Sequence, residues 1–175
     1  MSGGRTLGAV LAGGAARRFG SDKALAELGG IALIDHAIAA LRPHCDAIVV
    51  VGRTHNRVQT IADRPTPGLG PLGGLAGALH HASGSGFGQV LSAPCDVPFP
   101  PDALFAQLQH GPAVVADHPV FGIWPATIAD RLDRWLADDR PRAVRAFAAA
   151  VGARAIELDV PVRDIDTPAD LALMA

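Results

Sequence analysis

Only two cysteines, Cys45 and Cys95, occur in 175 residues, too few to frame a chain of this length as a disulfide scaffold. Charge is scarce as well. Charged residues make up 18%, and 15 Lys plus Arg against 17 Asp plus Glu leave a net charge of -2. That balance gives no bulk electrostatic case for nucleic acid or an anionic membrane surface. No charge-free apolar run reaches the ~18 residues of a membrane span. What is abundant is hydrophobic residues, at 49%, which excludes intrinsic disorder. The length predicts one domain over residues 1–175, with a core large enough to need no staples.

The N-terminus carries Arg5, an apolar stretch, and then Arg17 and Arg18, which loosely mimics a secretion signal. Gly13-Gly14 interrupts that stretch, which disfavours a signal, and the segment reads well as a buried strand entering a glycine turn. The expected address is therefore the cytoplasm, with both cysteines as free thiols.

Strands alternate with helices along the chain, which predicts a largely parallel sheet covered on both faces. Thr6–Ala12, Ala47–Val51 and Gln89–Ser92 are short apolar runs of the doubly buried type. Further strands are expected at Ala113–Val115, Val120–Trp124, Arg154–Leu158 and Val162–Ile165. Helical spacing covers Ile34–Leu41, weakly His55–Ala62, then Leu75–Ala82, Asp102–Leu108, Ile128–Ala137 and Ala143–Val151. Pro65 to Gly74 is rich in proline and glycine and is expected to be a long loop. Thr167-Pro168-Ala169-Asp170 opens a last helix, with Thr at the N-cap, Pro at N1 and an acid at N3.

The segment Leu11-Ala12-Gly13-Gly14-Ala15-Ala16-Arg17-Arg18-Phe19-Gly20-Ser21-Asp22-Lys23 is the most informative. Glycines directly after a first strand let backbone N–H groups approach an anion without a Cβ in the way. Arg18 and Lys23 add cations, a combination suited to a triphosphate. A solvated basic turn is the alternative. Neither G-x-x-x-x-G-K-[ST] nor a G-x-G-x-x-G after the first strand is present, so hydride chemistry on a dinucleotide is disfavoured.

This loop resembles the L-A-G-G-x-x-x-R-x-G-x-x-K signature of nucleotidyltransferases that activate sugars and cofactors. Within that superfamily the chain is most similar to the molybdenum cofactor guanylyltransferases. Gly70-Pro71-Leu72-Gly73-Gly74 resembles their G-P-L-x-G loop, and Pro94-Cys95-Asp96-Val97-Pro98 their P-C-D-x-P segment. His118-Pro119 and Asp166-Thr167-Pro168-Ala169-Asp170-Leu171 resemble two later motifs, so the likeness runs through nearly the whole chain. It implies a three-layer α/β/α, Rossmann-like fold of the nucleotide-diphospho-sugar transferase type.

The resemblance also implies roles. The backbone of Leu11, Ala12, Gly13 and Gly14 would contact the nucleotide, with Lys23 and Arg18 on its phosphates. Asp96, just past a strand, would hold Mg²⁺; a turn-capping Asp is the plainer reading. Asp63 aligns with a family aspartate that contacts the guanine nucleotide, a helix-end or turn Asp being the plainer reading. Gly70, Pro71 and Leu72 would wrap base or ribose, or simply form a tight turn opening a helix. Arg140 and Arg142 either face an anionic pterin or merely open a helix.

Two departures stand out. Gly52 ends the second strand where the family often has Asn. Asp164-Ile165-Asp166 stands where the family commonly has Asn-x-Asn, which is closer to the related cytidylyltransferases and makes either carboxylate, Asp166 in particular, a candidate second Mg²⁺ ligand. A plain turn residue before the helix is the equal alternative for Asp166. The implied reaction transfers GMP from GTP to the terminal phosphate of molybdopterin and releases pyrophosphate. Molybdenum-insertion proteins and apo-molybdoenzymes would be partners, with no nucleic acid or membrane involved. A cytidylyltransferase using CTP on the same pterin is one alternative. A non-catalytic nucleotide-binding protein that delivers cofactor is the other.

Overall fold

The structure is a computed structural model that describes residues 4–13, 22–138 and 140–174. At its centre, β1 (Thr6–Leu11) is buried on both faces. Leu7, Ala9 and Leu11 pack into one apolar cluster, while Val10 and the following Ala12 pack into another on the opposite side. This is the strand period of two acting on a continuous apolar run. Each buried leucine or valine among them contributes roughly 1.5–3 kcal/mol of burial, and each alanine less.

The strands after β1 are β2 (Glu27–Leu28), β3 (Ile31–Ala32), β4 (Ala47–Val51), β5 (Gln59–Ile61), β6 (Gln89–Pro94), β7 (Ala113–Val115), β8 (Gly122–Pro125) and β9 (Arg154–Ile156). Among the described residues, seven of them form one sheet in the order β5-β4-β1-β6-β8-β7-β9, and β2 and β3 form a separate hairpin. The pairs β4–β5, β1–β4, β1–β6 and β7–β9 are parallel; β8 runs antiparallel to both its neighbours. Helices α1 (Leu33–Leu41) and α3 (Asp102–Gln107) cover one face. Helices α2 (Pro71–Gly84), α4 (Ala129–Ala137) and α5 (Val144–Ala150) cover the other. The fold is a three-layer, mostly parallel α/β/α sandwich, as expected.

The topology creates a crevice. From β1 the chain passes through α1 to β4 and on to β5. It then returns through α2 to β6, on the opposite flank of β1. Strand order therefore reverses between β1 and β6, and ligands of open α/β sheets bind beyond the carboxyl ends of strands at such a point. Register brings Leu11 beside both Val51 and Pro94, so the segments after β1, β4 and β6 emerge together.

Several sequence expectations are corrected. Residues 55–62 form no helix; Gln59–Ile61 is the edge strand β5, paired with Val49–Val51. The expected loop 65–74 is shorter, because α2 already begins at Pro71, with Gly70 at its N-cap in the left-handed region at φ 67°. The glycines that disguised this start serve packing. A Cβ on Gly77 would lie 2.3 Å from the Ala62 carbonyl oxygen, so only glycine lets α2 approach this closely. Val162–Ile165 belongs to no strand. The hairpin β2–β3 was not anticipated; Gly29 and Gly30 at φ 61° and 77° form its turn.

Both tryptophans find indole partners. Trp124 is fully buried and donates to Ser92 Oγ at 3.0 Å. Trp135 donates to the Pro141 carbonyl oxygen at 2.9 Å. The last helix, α6 (Pro168–Met174), opens as its sequence predicts. Asp170 N–H donates to Thr167 Oγ1 at 3.2 Å, and Thr167 N–H donates to Asp170 Oδ2 at 2.8 Å, a reciprocal capping box.

Candidate active site

Two groups of residues lie beyond the carboxyl ends of β1, β4 and β6. The first is centred on Lys23. A short 3₁₀ turn, Lys23–Leu25, follows the glycine-rich segment. The Lys23 ammonium donates to Asp96 Oδ2 at 3.0 Å and to Asp166 Oδ1 at 2.6 Å. Asp96 lies two residues past β6. Asp166 arrives from the far end of the chain, and its position has a clear cause. The neighbouring Ile165 is fully buried against Leu28 and Leu33, and Ile165 N–H donates to the Asp96 carbonyl oxygen at 2.9 Å. The hairpin β2–β3 thus supplies an apolar anchor for a segment that no ladder holds.

The electrostatics follow from this geometry. The Lys23 side chain is only 13% exposed. Its burial alone would lower its pKa, but the hydrogen bonds and charges of Asp166 and Asp96 outweigh that and raise it above the usual lysine value. Lys23 is also the chain's sole lysine. This signal was present in the composition, and sequence reasoning passed over it. Asp164, the other carboxylate of the Asp-Ile-Asp segment, is exposed and makes no hydrogen bond among the described residues.

The second group surrounds Asp63. Its carboxylate packs against the glycines that end β1 and β4. A Cβ on Gly13 would lie 3.1 Å from Asp63 Oδ2. Gly52 has φ 83°, and a Cβ there would lie 2.6 Å from Gly13 Cα. Only glycine fits position 52 without strain. Asp63 Oδ1 is buried and has no hydrogen-bond partner. Burial raises the Asp63 pKa, offset only in part by an N–H from Gly68. A buried carboxylate oxygen with no donor is costly and is an open acceptor for a ligand's N–H groups. Leu11 and Ala12 lead into Gly13; Ala12 N–H is tied to the Val51 carbonyl at 2.9 Å. Gly70, Pro71 and Leu72 open α2, whose Gly73 also lies close to Asp63.

Arg53, which sequence reasoning missed, borders the crevice next to Gly52. It forms an ion pair with Asp22, while its Nε is buried without a partner. Arg18 and Gly14 lie outside the described residues. Arg140 instead stacks over the Trp135 ring, 4.9 Å from its centroid, and bonds Asp138 at 3.1 Å. Burial, then the Asp96 charge, pushes the Cys95 thiol up to about 11, so it is no ready nucleophile. His80 pairs with Asp133 at 2.7 Å, consistent with a structural role.

The chemistry of the site can be tested against a divalent cation. Asp96 Oδ2 and Asp166 Oδ1 both contact one ammonium, so two hard oxygen donors already converge on a point of positive charge. No cluster of three or more His, Cys, Asp and Glu exists among the described residues. Two carboxylates with the remaining positions left to water and phosphate oxygens is the pattern Mg²⁺ favours. The residues fit such an ion. No helix among the described residues is long and apolar enough to cross a membrane.

Comparison with known proteins agrees with this architecture. The model of the MobA-like NTP transferase domain matches residues 8–154. The molybdenum cofactor guanylyltransferase of Sinorhizobium fredii is 37% identical, over 96% of this chain and 89% of its own length. That of Acidiphilium cryptum is also 37% identical, over 97% and 94%. The crystal structure of molybdopterin-guanine dinucleotide biosynthesis protein A from Archaeoglobus fulgidus superposes with a TM-score of 0.71 at 24% identity, covering 96% of both chains.

Proposed function

The chain belongs to the MobA-like NTP transferase domain family and is a nucleotidyltransferase, and from that premise we propose that it transfers GMP from GTP to the terminal phosphate of molybdopterin. One observation carries the site assignment: the sole lysine meets two carboxylates at the point where strand order reverses. The names of the relatives support the substrate pair.

In this reading an oxygen of the pterin phosphate attacks the α-phosphorus of GTP. The new P–O bond forms as the bond to pyrophosphate breaks, and pyrophosphate leaves. The attacking oxygen needs no general base, because a phosphate monoester has a second pKa of about 6. The protein's task is charge neutralisation and in-line alignment. Lys23 and Arg18 contact the phosphates, with Arg53 at hand beside Gly52. The backbone of Leu11, Ala12, Gly13 and Gly14 lines the nucleotide path. Asp63 accepts from the guanine N–H groups, and Gly52, Gly70, Pro71 and Leu72 shape the wall around base and ribose. Asp96, with Asp166, would hold Mg²⁺, which supplies charge compensation to the phosphate oxygens when bound. Molybdenum-insertion proteins or apo-molybdoenzymes would receive the product, in the cytoplasm, from an enzyme acting as one domain over residues 1–175.

A second reading has a specific observation behind it. Asp166, where the guanylyltransferases commonly carry Asn, reaches Lys23, and a carboxylate there resembles the cytidylyltransferases. CTP on the same pterin is therefore the rival substrate. Pyrophosphate release with molybdopterin, Mg²⁺ and each of the four nucleoside triphosphates separates them. GTP preference supports the proposal and CTP preference replaces it. Binding of GTP without any product would favour a cofactor-delivery protein.

A further inference from the structure

We infer that Lys23 is an internal stand-in for the divalent cation, so that metal enters the site together with nucleotide and not before it. The inference rests on the reading of Asp96 and Asp166 as metal ligands. It adds an order of events and a second role for the lysine.

The Lys23 ammonium is the group on which Asp96 Oδ2 and Asp166 Oδ1 converge, at 3.0 and 2.6 Å. Those two oxygens are therefore separated by no more than the sum of these distances. A divalent ion bound by both would have to stand close to where the ammonium now sits. Lys23 is largely shielded from water and Asp96 is only 26% exposed, while Asp166 is 53% exposed, so the Lys23–Asp96 charges are the more weakly screened ones here. With the lysine in place, the two carboxylates and the ammonium carry a net charge of about -1 instead of -2, so a dication is attracted far less and also meets the ammonium's own repulsion at close range.

A triphosphate changes the balance. Its oxygens offer the ammonium a new set of acceptors, and Lys23, on a four-carbon stem, can turn to them. The carboxylates are then released to the metal that the same phosphates help to bind. Lys23 thus partly neutralises the carboxylates without nucleotide and follows the phosphates with it. Metal and nucleotide binding become positively coupled, and the coupling is reciprocal.

The test uses Mn²⁺ as the probe, followed by electron paramagnetic resonance on the purified full-length protein without nucleotide. Wild type, Lys23→Gln, Lys23→Arg and the double variant Lys23→Gln/Asp96→Asn are compared, with thermal melts to verify folding. Lys23→Gln should bind Mn²⁺ about tenfold or more tightly than wild type, since a repelling charge is gone. Lys23→Arg should stay as weak as wild type, and the double variant should lose the gain.

Because the chain has a single lysine, its ¹⁵N-labelled side-chain ammonium also gives one resonance in the unmodified protein. That signal should stay put with Mg²⁺ alone. It should shift when Mg²⁺ and a non-hydrolysable GTP analogue are both added. Wild type binding Mn²⁺ alone as tightly as Lys23→Gln overturns the inference. So does a lysine signal that ignores metal and nucleotide together. If Mn²⁺ fails to bind wild type even with the analogue present, or binds unaffected by Asp96→Asn, the metal-ligand reading itself falls.

Discussion

The main-chain N–H of Ile165 donates to the carbonyl oxygen of Asp96 at 2.9 Å, fastening a C-terminal segment to the turn that bears the site's central carboxylate. The Ile165 side chain adds the apolar half of the attachment, fully buried with Leu28 and Leu33. Ile165→Ala removes it. Large-to-small core changes of this kind cost about 2–5 kcal/mol, and so small a cluster points to the low end. A loss of about 2 kcal/mol would lower the melting temperature by roughly 4–8 °C for a chain of this size. Asp166 would lose its fixed place beside Lys23, and transfer should slow about tenfold. Calorimetry and a turnover assay check the two effects separately.

Asp63 should show a conflict between stability and binding. Its carboxyl has a raised pKa, chiefly through burial, so the fold disfavours the ionised form. Its stabilising contribution is complete below the unfolded value of about 3.9 and is lost as pH rises through the raised folded value. At pH 7 the ionised group therefore weakens the ligand-free protein. Asp63→Asn should raise the melting temperature at pH 7 by roughly 2–4 °C, equivalent to about 1 kcal/mol. The gain should shrink as pH falls towards 4. The same variant should lose the thermal stabilisation that GTP gives wild type. Lower stability than wild type at pH 7 would count against the unpaired oxygen as the cause.

Glycine at position 52 should be irreplaceable. Gly52→Ala places a methyl group 2.6 Å from Gly13 Cα in a backbone at φ 83°. Strain and clash together should cost more than about 2 kcal/mol and abolish the stabilisation by GTP. Gly30→Ala is the control. Its φ is 77°, but a Cβ there meets nothing within 4 Å. Only the left-handed backbone penalty of about 1–2 kcal/mol should appear, with GTP binding intact. Chemical denaturation of both variants makes the comparison.

Much of this was legible in the sequence, for physical reasons. β1 and β4 are buried on both faces, so each reads as an unbroken apolar run with one interpretation. The capping box at Thr167 and Asp170 is local chemistry, complete within four residues. Lys23, Asp96 and Asp166 could be named because each follows a motif, yet only the topology brings residues 73 and 143 positions apart onto one ammonium. Three features were hidden. β5 is an edge strand of three residues, too short for its period to show. The first turn of α2 contains two glycines, chosen for close approach and not for helix propensity. Ile165 looks like a strand residue because it is apolar and buried, but its burial comes from a three-residue cluster and a single backbone hydrogen bond.

The most direct test is single-turnover synthesis with purified protein, GTP, molybdopterin and Mg²⁺, comparing wild type with Lys23→Ala and Asp96→Ala. Wild type should form the guanine dinucleotide and release one pyrophosphate per product. Each variant, folded by circular dichroism, should be slower by at least about 10²–10³-fold, the scale of losing a group that stabilises transition-state charge. Wild-type rates in either variant would contradict the account.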